Sequence, residues 1–252
     1  MKHIIGHTDQ PLVCAPLVAR SANEILVELV SVLSKQPDII EWRADFFADI
    51  SQTNHVIEVA KTIKETAGHI PIIFCLRSVR EGGHPIPLSP QQVAEVNIAV
   101  CRNTTIEYID YEICNNPLHI RKLKDVAEMK GKKIIGSFHN FNCTPSREEL
   151  IKKFLLVVKY RLDVAKVAVM PQCMEDVLTL LSATLEAKSK LDIPLIAVSM
   201  GQQGIASRLI GGMFGSALTF GVGSQASAPG QVPIEDLKAV RSIIEKSMGS
   251  KI

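Results

Sequence analysis

The chain has 252 residues, 46% of them hydrophobic and 21% charged, with a formal net charge of +2. Such a composition supports a full globular core and excludes a disordered chain, at a length suited to one α/β barrel or two smaller domains. So small a net charge excludes recognition of nucleic acid or a membrane surface by bulk electrostatics.

Apolar runs and helix-like runs alternate along the sequence. A short N-terminal stretch over residues 2–6 reads as an extension or half of a hairpin. The first core strand is Leu12 to Leu17, and a helix capped by Ser21 runs to Ser34. Strand two, residues 38–43, precedes a helix from about Ser51 that stops at Gly68. Strand three, residues 70–76, leads through the turn-rich Glu81-Gly-Gly-His-Pro-Ile-Pro to a helix near 89–101. Strand four is Thr105 to Glu112, with a helix after Asn116. Strand five is Lys132 to Phe138, followed by His139 and a helix opened by the capping box of Ser146 and Glu149. Strand six is Asp163 to Met170, its helix ends near Lys190, and strand seven is Ile193 to Val198. A glycine-containing loop and a short helix near 205–212 precede strand eight, Ala217 to Phe220. A Gly/Ser/Pro-rich loop and a last helix, 234–247, complete the chain. Eight β–α units without a linker predict a single (β/α)8 barrel over residues 1–252.

A barrel places its chemistry at the C-terminal ends of its strands. There the sequence supplies Glu41 and Arg43, Arg77 and Glu81, Asp110 and Glu112, His139, Lys166, Met200 and Arg208, and Ser227 and Gln231. The strand starts carry no comparable set. Lys166 lies inside an apolar strand covered on both faces, and burial of an ammonium predicts a depressed pKa and a neutral, nucleophilic amine. With His139 as acid/base and arginines for a carboxylate, the set predicts imine-mediated proton abstraction, leading to elimination, isomerisation or aldol cleavage. The six cysteines show neither C-x-x-C spacing nor a paired Cys/His cluster, so neither a disulfide framework nor structural zinc is expected. The N-terminus lacks a signal-peptide run and no segment approaches the ~20 apolar residues of a membrane span. A cytoplasmic protein follows, with Asn103-Thr-Thr and Asn142-Cys-Thr as coincidental sequons.

The motifs extend the reading. Glu41-Trp-Arg-Ala-Asp45, Phe74-Cys-Leu-Arg77 with Glu81-Gly-Gly83, Ile109-Asp-Tyr-Glu112 and Ser137-Phe-His139 occur in order. Lys166-Val-Ala-Val-Met170-Pro, Ser199-Met-Gly201 with Ser207-Arg208, Phe214-Gly-Ser-Ala217 and Ala226-Ser-Ala-Pro-Gly-Gln231 follow. Together they resemble type I 3-dehydroquinate dehydratase. The resemblance implies a homodimer, no cofactor, no metal, and a step of the shikimate pathway. It implies that Lys166 forms the imine with the C3 ketone of 3-dehydroquinate and that His139 moves the C2 proton, oriented by Glu81. Arg208, Ser227 and Gln231 would hold the carboxylate and neighbouring hydroxyl; Glu41, Arg43 and Arg77 would contact ring hydroxyls; and the segment around 226–231 would be a lid. Three places depart from common family residues: Phe46 in place of a histidine, Ala15 in place of a serine, and Ser224-Gln225 where basic residues are frequent.

Two other readings compete. A class I aldolase or transaldolase would need a phosphate cradle, for which the glycines of Met200-Gly-Gln-Gln-Gly are candidates. A catalytically dead barrel would bind a small carboxylate or a partner protein. The match of Gly221-Val-Gly-Ser-Gln-Ala226 to a dinucleotide fingerprint is set aside, because no βαβ unit follows it.

Overall fold

A computed structural model describes residues 4–8 and 10–249. In chain order the regular elements are β1 (Leu12–Leu17), α1 (Ala22–Ser34), β2 (Ile39–Arg43), α2 (Thr53–Ala67), β3 (Ile72–Cys75) and α3 (Pro90–Asn103). They continue with β4 (Tyr108–Glu112), α4 (Pro117–Met129), β5 (Lys133–Asn140), α5 (Arg147–Lys159), β6 (Val164–Val169) and α6 (Met174–Lys190). The last are β7 (Leu195–Ser199), α7 (Ile205–Ile210), β8 (Leu218–Val222), β9 (Val232–Pro233) and α8 (Ile234–Gly249). The expected caps are in place: Ser21 and Ser146 each accept from the backbone N–H three residues on, with Glu24 and Glu149 completing capping boxes.

All neighbouring strands pair in parallel, in the order β7-β6-β5-β4-β3-β2-β1-β8-β9. The sheet rolls up so that β7 meets β8, where Ala217 N–H donates to the Leu195 carbonyl at 2.7 Å. A Leu195–Ser216 bridge marks the same seam, and the result is a (β/α)8 barrel. Side chains alternate along each strand. One set, including Val13, Ile40, Trp42, Phe74, Ile109, Ala165 and Val167, packs against the helices. The other, including Leu12, Cys14, Ile39, Ile73, Tyr108, Ile135, Val164 and Ile196, fills the barrel interior.

Several strand bounds shift by one to three residues from the sequence reading and β9 is additional to it; two differences bear on the interior and the site. Residues 4–8 form turns rather than a strand, and the rest of the expected 2–6 stretch lies outside the described residues. Ile5 is nonetheless buried with the interior set, its N–H donating to the Tyr108 hydroxyl at 3.2 Å. β5 runs on through Asn140, because β6 offers partners to His139 and Asn140 in Ala168 and Val169. His139 is thus a strand residue and not a loop residue.

The strand starts, contrary to expectation, carry an acidic set of their own. Asp38 accepts from Val13 N–H at 2.8 Å and pairs with Arg241 on α8 at 2.6 Å. Glu107 accepts from Ile72 N–H at 3.0 Å and pairs with Lys64 at 2.8 Å. Asp163 accepts from Ile134 N–H at 2.9 Å and bridges Lys124 and Lys133. Each carboxylate satisfies a strand amide that its neighbour leaves unpaired, so this end is structural. Replacing Asp163 by Asn is expected to lower stability in urea titrations by roughly 1–2 kcal/mol while leaving turnover unchanged.

Candidate active site

At the other end, inward positions turn polar along several strands. The series Ile39-Glu41-Arg43, Tyr108-Asp110-Glu112, Ile135-Ser137-His139 and Val164-Lys166-Ala168 each follow the two-residue period. They converge on one pocket lined by all nine residues expected from the sequence: Glu41, Arg43, Arg77, Glu81, His139, Lys166, Arg208, Ser227 and Gln231. Phe141, Ala168, Val198, Met200 and Phe220 supply apolar walls.

Lys166 is buried at the pocket floor, with its Nζ 2.8 Å from Asp110 Oδ2 and 3.0 Å from Glu41 Oε1. Its ammonium also lies 4.4 Å from the centroid of the Phe220 ring. Burial pulls the lysine pKa down, but Asp110 and Glu41 outweigh it and hold the net value above the ordinary one. The expected neutral amine is therefore corrected: Lys166 is an ammonium here, because two carboxylates bracket it. Glu41, Cys75 and Asp110 could otherwise be read as metal donors, but the cation between the two carboxylates is Lys166.

Asp110 is the residue that the sequence reading placed near the site without giving it a role. Besides Lys166 it accepts from Ser137 Oγ at 2.5 Å and pairs with Arg77 Nη2 at 2.9 Å. Burial alone would raise its pKa; Arg77 and Lys166 overcome this and hold it well below the usual carboxylate range. The signal was present in Ile109-Asp-Tyr-Glu112, an acid inside an apolar strand. Arg77 is correspondingly committed to the protein, through Asp110, Ser137 at 2.9 Å and Glu112 at 3.4 Å.

His139 and Glu81 are joined twice. Glu81 Oε2 accepts from the His139 backbone N–H and lies 2.9 Å from Nδ1. Burial, with Arg77 and Lys166 close by, lowers the His139 pKa well below its usual value, so the imidazole is neutral. Its Nδ1–H donates to Glu81, which leaves Nε2 as the basic nitrogen on the pocket side. Burial and the nearby Glu112 push Glu81 up to about 8 against the pull of Arg77. Glu81 Oε1 is buried and has no hydrogen-bond partner. The turn that presents Glu81 needs the glycine after it: Gly82 has φ +80°, and a Cβ there would fall 2.2 Å from the Phe141 ring.

The two remaining arginines differ in kind. Arg43 is neutralised by a bidentate pair with Asp45, both contacts at 2.8 Å. Arg208 is 2% exposed, donates only to the carbonyls of Phe220 and Pro229, and has an unpartnered Nε. No carboxylate among the described residues pairs with it, and burial lowers its pKa to about 10. A buried guanidinium with spare donors and no counter-charge is a receptor for an anion.

The loop over the pocket is tied to these groups. Ser227 N–H donates to Gln231 Oε1 at 2.8 Å, Arg43 reaches the Ser227 carbonyl at 3.3 Å, and Gly201 N–H donates to the Pro229 carbonyl at 3.1 Å. Gly201 is thereby used on the loop and not on a phosphate. The departures from common family residues are accommodated as well. Phe46 stacks on His84 and lies under Arg43, Ala15 is fully buried in the core, and Ser224 bonds Glu28.

Comparison with known proteins identifies the family of the chain. The family model described as type I 3-dehydroquinase matches residues 13–248. The 3-dehydroquinate dehydratase of Aromatoleum aromaticum is 47% identical over 245 residues, covering 97% of this chain and 94% of that protein. The crystal structure of 3-dehydroquinate dehydratase from Geobacillus kaustophilus superposes with a TM-score of 0.92 at 44% identity, over 96% of this chain and 93% of that one. A type I enzyme from Clostridium difficile, solved with covalently modified comenic acid, gives 0.91 at 36% identity, over 94% of each chain. With the model spanning most of the barrel and such relatives matching nearly end to end, the chain belongs to the type I 3-dehydroquinase family of hydro-lyases.

Proposed function

We propose that this chain converts 3-dehydroquinate to 3-dehydroshikimate and water by syn elimination through an imine on Lys166, the third step of the shikimate pathway. The observation that carries the reading is the pairing of a buried lysine with a buried, uncompensated Arg208 in one pocket. The first is a nucleophile for a ketone, the second a receptor for the substrate carboxylate. The covalently modified ligand of the Clostridium difficile relative supports covalent chemistry in this family.

Lys166 must first shed a proton. Glu41, 3.0 Å away, is the acceptor in reach, since Asp110 is held in its charged form by Arg77 as well. The free amine then attacks the C3 ketone, and loss of water gives the imine, whose cationic form is stabilised by Asp110. With the imine as electron sink, neutral His139 takes the C2 proton through Nε2. It returns a proton to the C1 hydroxyl, which leaves as water. Hydrolysis of the product imine restores Lys166. Ser227 and Gln231 complete the carboxylate end beside Arg208, while the loop that carries them excludes water from the imine.

Lys166→Ala is expected to abolish turnover. His139→Ala should retain imine formation, seen as a ligand-sized mass gain on the Lys166 peptide after borohydride reduction with 3-dehydroquinate, while elimination falls about a hundredfold or more. Turnover by the Lys166→Ala protein, or no adduct on active wild-type protein, would refute the imine route. Glu81 provides a pH test. Its folded pKa lies above the ordinary 4.5, so its contribution to stability is complete below about pH 4.5 and is lost as pH rises through about 8. Melting temperature should therefore fall over that interval more steeply in the wild type than in Glu81→Gln, and equal slopes would show that Glu81 is already ionised at low pH.

A further inference from the structure

Glu28 sits in the middle of α1, is 7% exposed, and has no lysine or arginine partner among the described residues. All its hydrogen bonds leave the helix. Oε2 accepts from the N–H groups of Val18 and Ala19, at 2.8 and 2.9 Å, where β1 turns into α1. Oε1 accepts from Ser224 Oγ at 2.8 Å, where the chain leaves β8 to cross the pocket. One turn further along α1, Val32 meets the same segment: a Cβ on Gly223 would lie 2.5 Å from Val32 Cγ2. The stem of the loop thus runs flush against two successive rungs of α1. Beyond the stem, the loop is held by groups that face the pocket, Arg43 on the Ser227 carbonyl and Arg208 on that of Pro229.

We propose that Glu28 is a positioning residue for the reaction: through Ser224 it fixes the stem of the loop 223–231 to the barrel independently of the site, so that Ser227 and Gln231 are held over the pocket before substrate arrives. A buried carboxylate without a counter-cation is retained here because three neutral donors converge on it, and one of them belongs to the loop. The loop's inner contacts use Arg208, which the substrate carboxylate also needs. The outer contact, like the backbone bond from Gly201 to Pro229, uses no group that lines the pocket. Loss of that contact shifts the free protein toward an open loop and leaves the chemistry at Lys166 untouched.

The inference rests on the dehydratase reading only for its kinetic half, so the test has two readouts. Cleavage after Ala226 by elastase, followed by intact mass, reports loop opening without any turnover. Ser224→Ala should raise that cleavage rate roughly three- to tenfold, the factor for one hydrogen bond of ordinary net strength. Ser224→Thr, which keeps the hydroxyl, should restore the wild-type rate. With 3-dehydroquinate, Ser224→Ala should raise KM by a similar factor with kcat unchanged. Equal cleavage rates for wild type and Ser224→Ala would overturn the proposal, as would faster cleavage with an unaltered KM in an active enzyme. Inactivity of the wild type would count against the dehydratase reading and leave the cleavage result to decide the role of Glu28 in holding the loop.

Discussion

The ammonium of Lys166, suspended between Asp110 and Glu41 inside a closed barrel, is the interaction on which the rest of the site depends. An isolated ammonium at that depth would be neutralised by burial, and an isolated Asp110 would be protonated for the same reason. Together they keep each other charged, with Arg77 and Ser137 filling the remaining valences of the aspartate. The arrangement holds the amine protonated and keeps two carboxylates beside Nζ.

Charge is distributed unevenly around this centre. Arg77 and Arg43 are matched by carboxylates of the protein, whereas Arg208 is matched by none among the described residues. In the proposed reaction, this imbalance sets which end of the pocket takes the substrate carboxylate. Histidine and glutamate obey the same electrostatics with the opposite outcome. Burial, with Arg77 and Lys166 adding to it, keeps His139 neutral, and burial with Glu112 nearby drives Glu81 toward its acid form. A neutral imidazole oriented through Nδ1 is a base at Nε2. The pocket obtains this base without a second positive charge beside the lysine.

Both ends of the barrel carry carboxylates paired with cations, yet they serve different purposes. At the strand starts Asp38, Glu107 and Asp163 spend their oxygens on strand amides and on lysine or arginine partners, which fixes register. At the strand ends the corresponding groups point into a pocket and bond one another. Side-chain type alone does not separate these two cases. What separates them is whether a neighbouring strand leaves an amide unpaired at that level.

Much of this was legible in the sequence. The alternation of apolar runs and capped helices defines eight β–α units, and the caps at Ser21 and Ser146 are local chemistry that needs no tertiary context. The nine polar residues that line the pocket could be found because a polar side chain within or just after an apolar strand is costly to bury unless a site or a partner takes it up. The protonation state of Lys166 was not legible, since it is decided by Asp110 and Glu41, respectively 56 and 125 positions away along the chain. Nor was the role of Glu28, which occurs in an ordinary amphipathic helix and whose partners come from β1's exit and from a loop 196 residues distant. Sequence determines which groups a segment offers and the local geometry it adopts. Only closure of the barrel brings distant charges within a few ångströms in a poorly screened interior, where their mutual energies exceed the intrinsic preference of each group.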